Sequence, residues 1–65
     1  MPLIQVSIAQ GRRPEQIRAM IAGVTSAVAD SLDAPVESIR VIVNEIPLTH
    51  WGSGTQTLAE KRGAG

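Results

Sequence analysis

Apolar and polar positions alternate from Pro2 to Ile8, with Ile4, Val6 and Ile8 on one face and Leu3, Gln5 and Ser7 on the other. That period predicts a half-buried strand. Ala9-Gln10-Gly11 breaks the alternation, and the period then changes. Ile17, Met20, Ile21, Val24, Ala27, Val28, Ser31 and Leu32 recur at three- and four-residue spacings, the stripe of an amphipathic helix. Pro14 suits the first helical position and Glu15 the first turn, which leaves Arg13, a poor residue for the purpose, as the N-cap. Asp33-Ala34-Pro35 ends the helix, because a residue before proline is pushed out of helical geometry. Val36-Glu37-Ser38 links to a second strand over Ile39–Ile46, in which Ile39, Val41 and Val43 point one way and Arg40, Ile42, Asn44 and Ile46 the other. Pro47-Leu48-Thr49-His50 then leads into a glycine-rich turn, Trp51-Gly52-Ser53-Gly54. The stretch from Thr55 to Gly65 is polar, with Leu58 and Ala59 as anchors and a frayed end.

Strand, crossover helix and strand make a right-handed parallel unit. With a C-terminal hairpin, this is a single α+β domain over residues 1–65. The second strand has two largely apolar faces, and such a strand is covered on both sides. One helix covers one of them. A chain of 65 residues also gains little net stability from its own core and needs a staple. It has no cysteine and a single histidine, which excludes disulfides and shows no metal-ligand spacing. Oligomerisation remains. Six basic and six acidic residues cancel and are dispersed, so no phosphate-binding face is expected and nucleic acid is excluded as a partner. A ribbon-helix-helix DNA binder would need two helices and a base-reading strand face, and Leu3, Gln5 and Ser7 carry no charge. No run approaches the roughly 20 apolar residues of a membrane span, and no signal peptide is evident; a cytoplasmic location is expected.

The candidate chemistry begins at Met1-Pro2. Initiator methionine is normally trimmed before a small residue, and a chain beginning at Pro2 would carry a secondary amine. Terminal amines titrate near roughly 7.7 to 8.0, and an apolar, cationic pocket lowers that value, as a general base at neutral pH requires. In a parallel pair both strands start at the same edge, so Arg40 lies near Pro2. Arg12 does not: at roughly 3.3 Å per residue the first strand carries the chain about 20 Å away. If Pro2 and Arg12 share a site, they come from different subunits.

Pro2-Leu3-Ile4, the Gly11-Arg12 pair before a helix, Leu32-Asp33-Ala34-Pro35, Ser38-Ile39-Arg40-Val41-Ile42-Val43 and Trp51-Gly52-Ser53-Gly54, in this order and spacing, resemble the 4-oxalocrotonate tautomerase family over nearly the whole chain. The resemblance implies a tautomerase/MIF-like fold assembled as a trimer of dimers with active sites at subunit junctions. It implies a keto-enol isomerase without a cofactor, acting on carboxylate-bearing 2-hydroxydienoates or related enol acids. Pro2 matches the general base. Arg12 matches the arginine that holds the distal carboxylate, and Arg40 the one that grips the 2-oxygen and its adjacent carboxylate as enolate charge develops. Trp51 stands where an aromatic, more often phenylalanine, walls the pocket.

Three departures stand out. Arg13 replaces the usual Ser or Thr cap and adds a cation beside Arg12, which bears on carboxylate selectivity. Thr55 follows Gly54 where the family has a second glycine. Ser53 lies near the place where dehalogenases of the superfamily carry a water-activating glutamate, which argues against hydration chemistry. A catalytically idle or promiscuous oligomeric member, acting as a scaffold or in a secondary-metabolite pathway, is the rival reading. His50, in a turn, reads as an exposed structural histidine.

Overall fold

The computed structural model describes residues 2–63; the expectations for Met1 and for the last two residues lie outside them. Strand β1 (Leu3–Ala9) pairs in parallel with β2 (Arg40–Ile46), and helix α1 (Pro14–Leu32) connects them. The register sets Leu3 opposite Arg40, Val6 opposite Val43 and Ala9 opposite Ile46. Strand β2 starts one residue later than the alternation suggests. Ile39 instead closes a 3₁₀ turn over Val36–Ser38, with its N–H donating to the Val36 carbonyl at 3.2 Å. Among the described residues Ile39 is the one buried hydrophobic residue, 7% exposed.

Both ends of α1 are closed by local chemistry. Arg13 is extended and its side chain caps nothing, but its N–H donates to the Gln16 side-chain oxygen at 3.0 Å, so one half of a capping box replaces the missing cap. At the other end Asp33 takes a left-handed conformation, φ 53°, and its N–H bonds the Ala29 carbonyl. Aspartate is one of the few residues besides glycine that visits this region readily.

The helical stripe meets one face of the sheet. Ile4, Val6, Ile8, Val41 and Val43 are half-buried there, against half-buried Ile17, Met20, Ile21, Val24 and Val28. On the opposite face Leu3 is 56% and Ile42 47% exposed, alongside exposed Gln5, Ser7, Arg40 and Asn44. The end of the stripe is open too, with Leu32 63% exposed. The radius of gyration is 15.0 Å, where a compact chain of this length would give about 11 Å. The surface, 4805 Å², exceeds the about 4,000 Å² of a compact monomer of this mass. The chain leaves a sheet face bare and extends an arm, as expected of one subunit of a larger assembly.

That arm is the C-terminal segment. Beyond a 3₁₀ turn at Leu48–His50, β3 (Gly52–Ser53) and β4 (Gln56–Thr57) form a hairpin. Gly54 has φ 67°, and Thr55 has no positive φ, the pattern of a II′ loop, which demands glycine only at its first position. Thr55 is thereby accommodated. A short helix, α2 (Leu58–Gly63), follows where the sequence reads as a polar tail. Its start is a complete capping box: Glu60 N–H donates to Thr57 Oγ1 at 3.0 Å and Thr57 N–H to Glu60 Oε1 at 2.8 Å. Lys61 Nζ also donates to Ser53 Oγ at 3.0 Å, tying α2 to the hairpin.

These bonds to Thr57, the backbone one foremost, hold the Glu60 carboxyl below its ordinary value. A carboxylate with a depressed folded-state pKa contributes stability that is present above its unfolded pKa and lost as pH falls through the folded one. Lowering the pH below the usual glutamate range is therefore expected to fray α2 ahead of α1. Amide and Cα shifts of residues 58–62 in an NMR titration would show it, and Glu60→Gln should remove the pH dependence.

Candidate active site

The sequence-derived site residues fall into two groups at opposite ends of the sheet. At the starting edge, the Pro2 carbonyl accepts from Arg40 N–H at 3.0 Å, which locks the segment before β1 against β2. Pro2 is half-buried. It lines an apolar groove of about 390 Å³ with Leu3, Ile4 and the last turns of α1, Ala27, Val28, Ser31 and Leu32. The amphipathic stripe thus supplies an apolar wall beside Pro2, and no carboxylate lines the groove.

Arg40 sits in the first position of β2 on the uncovered face. Its Nη1 donates to the Glu37 carbonyl at 2.8 Å and to Ile39 O at 3.4 Å. The 3₁₀ turn before the strand therefore anchors the guanidinium through one terminal nitrogen. Among the described residues no carboxylate pairs with it, and Nε and Nη2 remain available to a ligand. Arg40 and Glu45 differ by an odd number of strand positions and so lie on opposite faces, which disposes of a pairing between them.

At the finishing edge, the chain turns out of β1 through Gly11, whose φ of 128° suits glycine. The Gln10 N–H donates to the Ile46 carbonyl at 2.8 Å, extending the pairing by one bond before the turn. This puts Arg12 on the rim of a cleft of about 630 Å³, shared with the end of β1, Gln16, Trp51, Leu58 and Arg62. Trp51 is half-buried, and its carbonyl accepts from Leu58 N–H at 2.8 Å, so the hairpin and α2 hold the indole over the cleft. In a single chain Trp51 therefore stands with Arg12 and apart from Pro2. The seven residues of β1, at about 3.3 Å each, separate the two groups by about 20 Å.

Arg13 does not join Arg12. Its Nε lies 3.4 Å from Glu15 Oε1 in an exposed ion pair, and it lines neither cavity. The second cation at the Arg12 cleft is Arg62, which the sequence reading passed over. The signal was legible as Thr57-Leu58-Ala59-Glu60, a capping-box pattern that opens a helix and fixes where Arg62 falls. His50 is exposed, bonded to the Thr49 hydroxyl at 2.8 Å, and lines neither cavity. No group of His, Cys, Asp or Glu with metal-holding geometry occurs among the described residues. No helix among them is long and apolar enough to cross a membrane.

Comparison with known proteins gives consistent results. A family model described as "Tautomerase enzyme" matches residues 2–61. The 2-hydroxymuconate tautomerase of Pseudomonas sp. (strain CF600) is 42% identical over 62 residues, spanning 95% of this chain and 98% of its own. Among solved structures, TomN, a 4-oxalocrotonate tautomerase homologue in the tomaymycin biosynthetic pathway, superposes with a TM-score of 0.93 at 40% identity, covering 95% of each chain. A heterohexameric 4-oxalocrotonate tautomerase from Chloroflexus aurantiacus J-10-fl gives 0.89 at 33% identity, over 92% of this chain and 97% of that one.

Proposed function

The chain belongs to the tautomerase family, in its 4-oxalocrotonate tautomerase branch, and from that premise we propose that it converts 2-hydroxydienoate or related enol acids to 2-oxo acids, with the amine of a trimmed Pro2 as the base. The amine takes the proton of the 2-hydroxyl and returns it at carbon. Arg40 grips the 2-oxygen and the adjacent carboxylate and balances the charge that develops there, where a preorganised donor counts most. Arg12 holds the distal carboxylate, and Trp51 excludes water.

The observation that carries this reading is the division of the candidate residues between two edges of one sheet. Pro2 and Arg40 are joined by a backbone bond at one edge, and Arg12 and Trp51 line a cleft at the other. Each edge is half of a site. The bare sheet face and the extended arm supply the surfaces on which copies assemble, and a homohexamer, a trimer of dimers, would bring the edge of one copy to the opposite edge of another.

The experiment is an ultraviolet assay of the purified protein with 2-hydroxymuconate and with phenylenolpyruvate. Ketonisation of at least one well above the solvent rate is expected. A rate indistinguishable from buffer with both would favour the idle scaffold. Preference for the dicarboxylate would place the chain with catabolic enzymes of ring-cleavage products, and preference for the monocarboxylate with a biosynthetic role.

A further inference from the structure

We propose that Ser38 is a positioning residue for Arg40: its hydroxyl clamps the 3₁₀ turn on which the guanidinium is seated, and so sets where that cation meets the 2-oxygen of the substrate. The catalytic consequence rests on the tautomerase reading; the clamp itself rests on the geometry of the turn.

The turn is built on one acceptor. The Pro35 carbonyl receives the Ser38 N–H at 3.0 Å and the Ser38 hydroxyl at 2.7 Å. A serine side chain readily returns to a backbone carbonyl three residues back, and alanine has no such bond to offer. The turn covers only Val36–Ser38, and so short a piece of 3₁₀ helix is held by hydrogen bonds of poor geometry. Its next backbone bond, from Ile39 N–H to the Val36 carbonyl, is longer at 3.2 Å. The hydroxyl bond, the shortest of the three, is what closes the turn firmly.

Arg40 is seated on the same peptide unit. The plane joining Glu37 to Ser38 gives its N–H to Pro35, and its carbonyl accepts from Arg40 Nη1 at 2.8 Å. Both ends of that plane are thus engaged. Because a peptide is rigid and flat, turning it to release the N–H also swings the carbonyl away from the guanidinium. Ser38 fastens the plane from its Cα side. Among the described residues the one ion pair joins Arg13 and Glu15, so the turn is what holds the exposed Arg40 side chain. An arginine gives up much rotamer freedom when it is fixed, and the seat takes that loss before a substrate arrives.

The test compares native protein with Ser38→Ala, Ser38→Thr, Arg40→Ala and the double variant Ser38→Ala/Arg40→Ala. Alanine leaves the Pro35 carbonyl its bond from the backbone N–H of position 38, so no acceptor is orphaned, and circular dichroism and sedimentation should match the native protein. With 2-hydroxymuconate, Ser38→Ala should lower kcat about tenfold, the scale of one net hydrogen bond, with KM changed less. Ser38→Thr keeps the hydroxyl and should restore most of the loss. In the Arg40→Ala background the Ser38→Ala step should cost nothing further, since the group it positions is gone. A serine that serves only the fold would lower kcat by the same factor in both backgrounds, and that additivity would overturn the proposal.

A second readout needs no turnover. In nitrogen-15-labelled protein the Arg40 guanidinium resonances are those lost in Arg40→Ala. An Nη1 seated on a carbonyl rotates slowly about its bond to Cζ, so Nη1 and Nη2 should be resolved in native protein and in Ser38→Thr, and should merge in Ser38→Ala. Merged resonances in native protein, or resolved ones in Ser38→Ala, would overturn the clamp. If native protein ketonises neither enol, the tautomerase reading fails, while the guanidinium spectrum still decides what Ser38 holds.

Discussion

Protein that retains Met1 is expected to show no tautomerase activity above the level left by its arginines alone. With methionine attached, the Pro2 nitrogen is a tertiary amide and has no basic lone pair. Loss of a positioned general base costs about 10²- to 10⁴-fold. In the trimmed form the amine sits beside an apolar groove built from Leu3, Ile4, Ala27, Val28, Ser31 and Leu32, and next to the Arg40 backbone. Poor solvation beside that groove disfavours the protonated amine, and the assembly proposed above would add the cations of Arg12 and Arg40. Its rate should therefore rise with pH along an acid limb whose midpoint lies below the roughly 7.7 to 8.0 of a free terminal amine. Intact mass identifies the two forms, and one enol assay compares them. Equal rates would remove Pro2 from the mechanism.

Arg40→Ala should lower kcat for enol substrates by about 100- to 1,000-fold, the loss that follows removal of one donor to a developing oxyanion. The larger change is expected in kcat, because charge on the 2-oxygen grows only toward the transition state, with a smaller rise in KM from the lost contact to the adjacent carboxylate. The fold should tolerate it. Arg40 is exposed and its side chain bonds only backbone carbonyls of Glu37 and Ile39, so circular dichroism and sedimentation of the variant should match the native protein. A variant with kcat within threefold of native would show that Arg40 is merely a strand-end cation.

The parallel unit was legible because its signals are local and mutually consistent. Period-two alternation over Leu3–Ile8, period-3.6 recurrence from Ile17, and prolines at 14 and 35 leave one arrangement of strand, helix and strand. Once the strands are parallel, Arg40 falls beside Pro2 and Arg12 falls at the far end without any long-range guess. The bare sheet face followed from counting elements, since one helix has one apolar stripe.

What escaped was set by side-chain bonds over three residues, or by the path of the arm. Residues 55–65 carry too few apolar positions for periodicity to speak, so α2 is announced only by the pairing of Thr57 with Glu60. Missing α2 meant missing Arg62, because a cation in a polar tail has no address until a helix supplies one. Arg13 misled in the opposite sense: adjacency to Arg12 suggested a shared role, but one step along the chain turns its side chain toward Glu15. Asp33 adopts its left-handed cap so that the Ala34 N–H reaches the Ala29 carbonyl at 3.1 Å, a geometry that a following proline alone does not specify.

The central claim is that each site takes Pro2 from one copy and Arg12 from another. Subunit complementation tests it most directly: Met-retaining protein and the trimmed Arg12→Ala variant, each impaired alone, are unfolded, mixed in equal amounts and refolded together, and kcat/KM for 2-hydroxymuconate is measured. Random assembly across a junction pairs an intact Pro2 with an intact Arg12 in about one site in four, so recovery to about a quarter of the native value is expected. A mixture no more active than the average of the two parents would contradict it, and would place both residues of every site in a single chain.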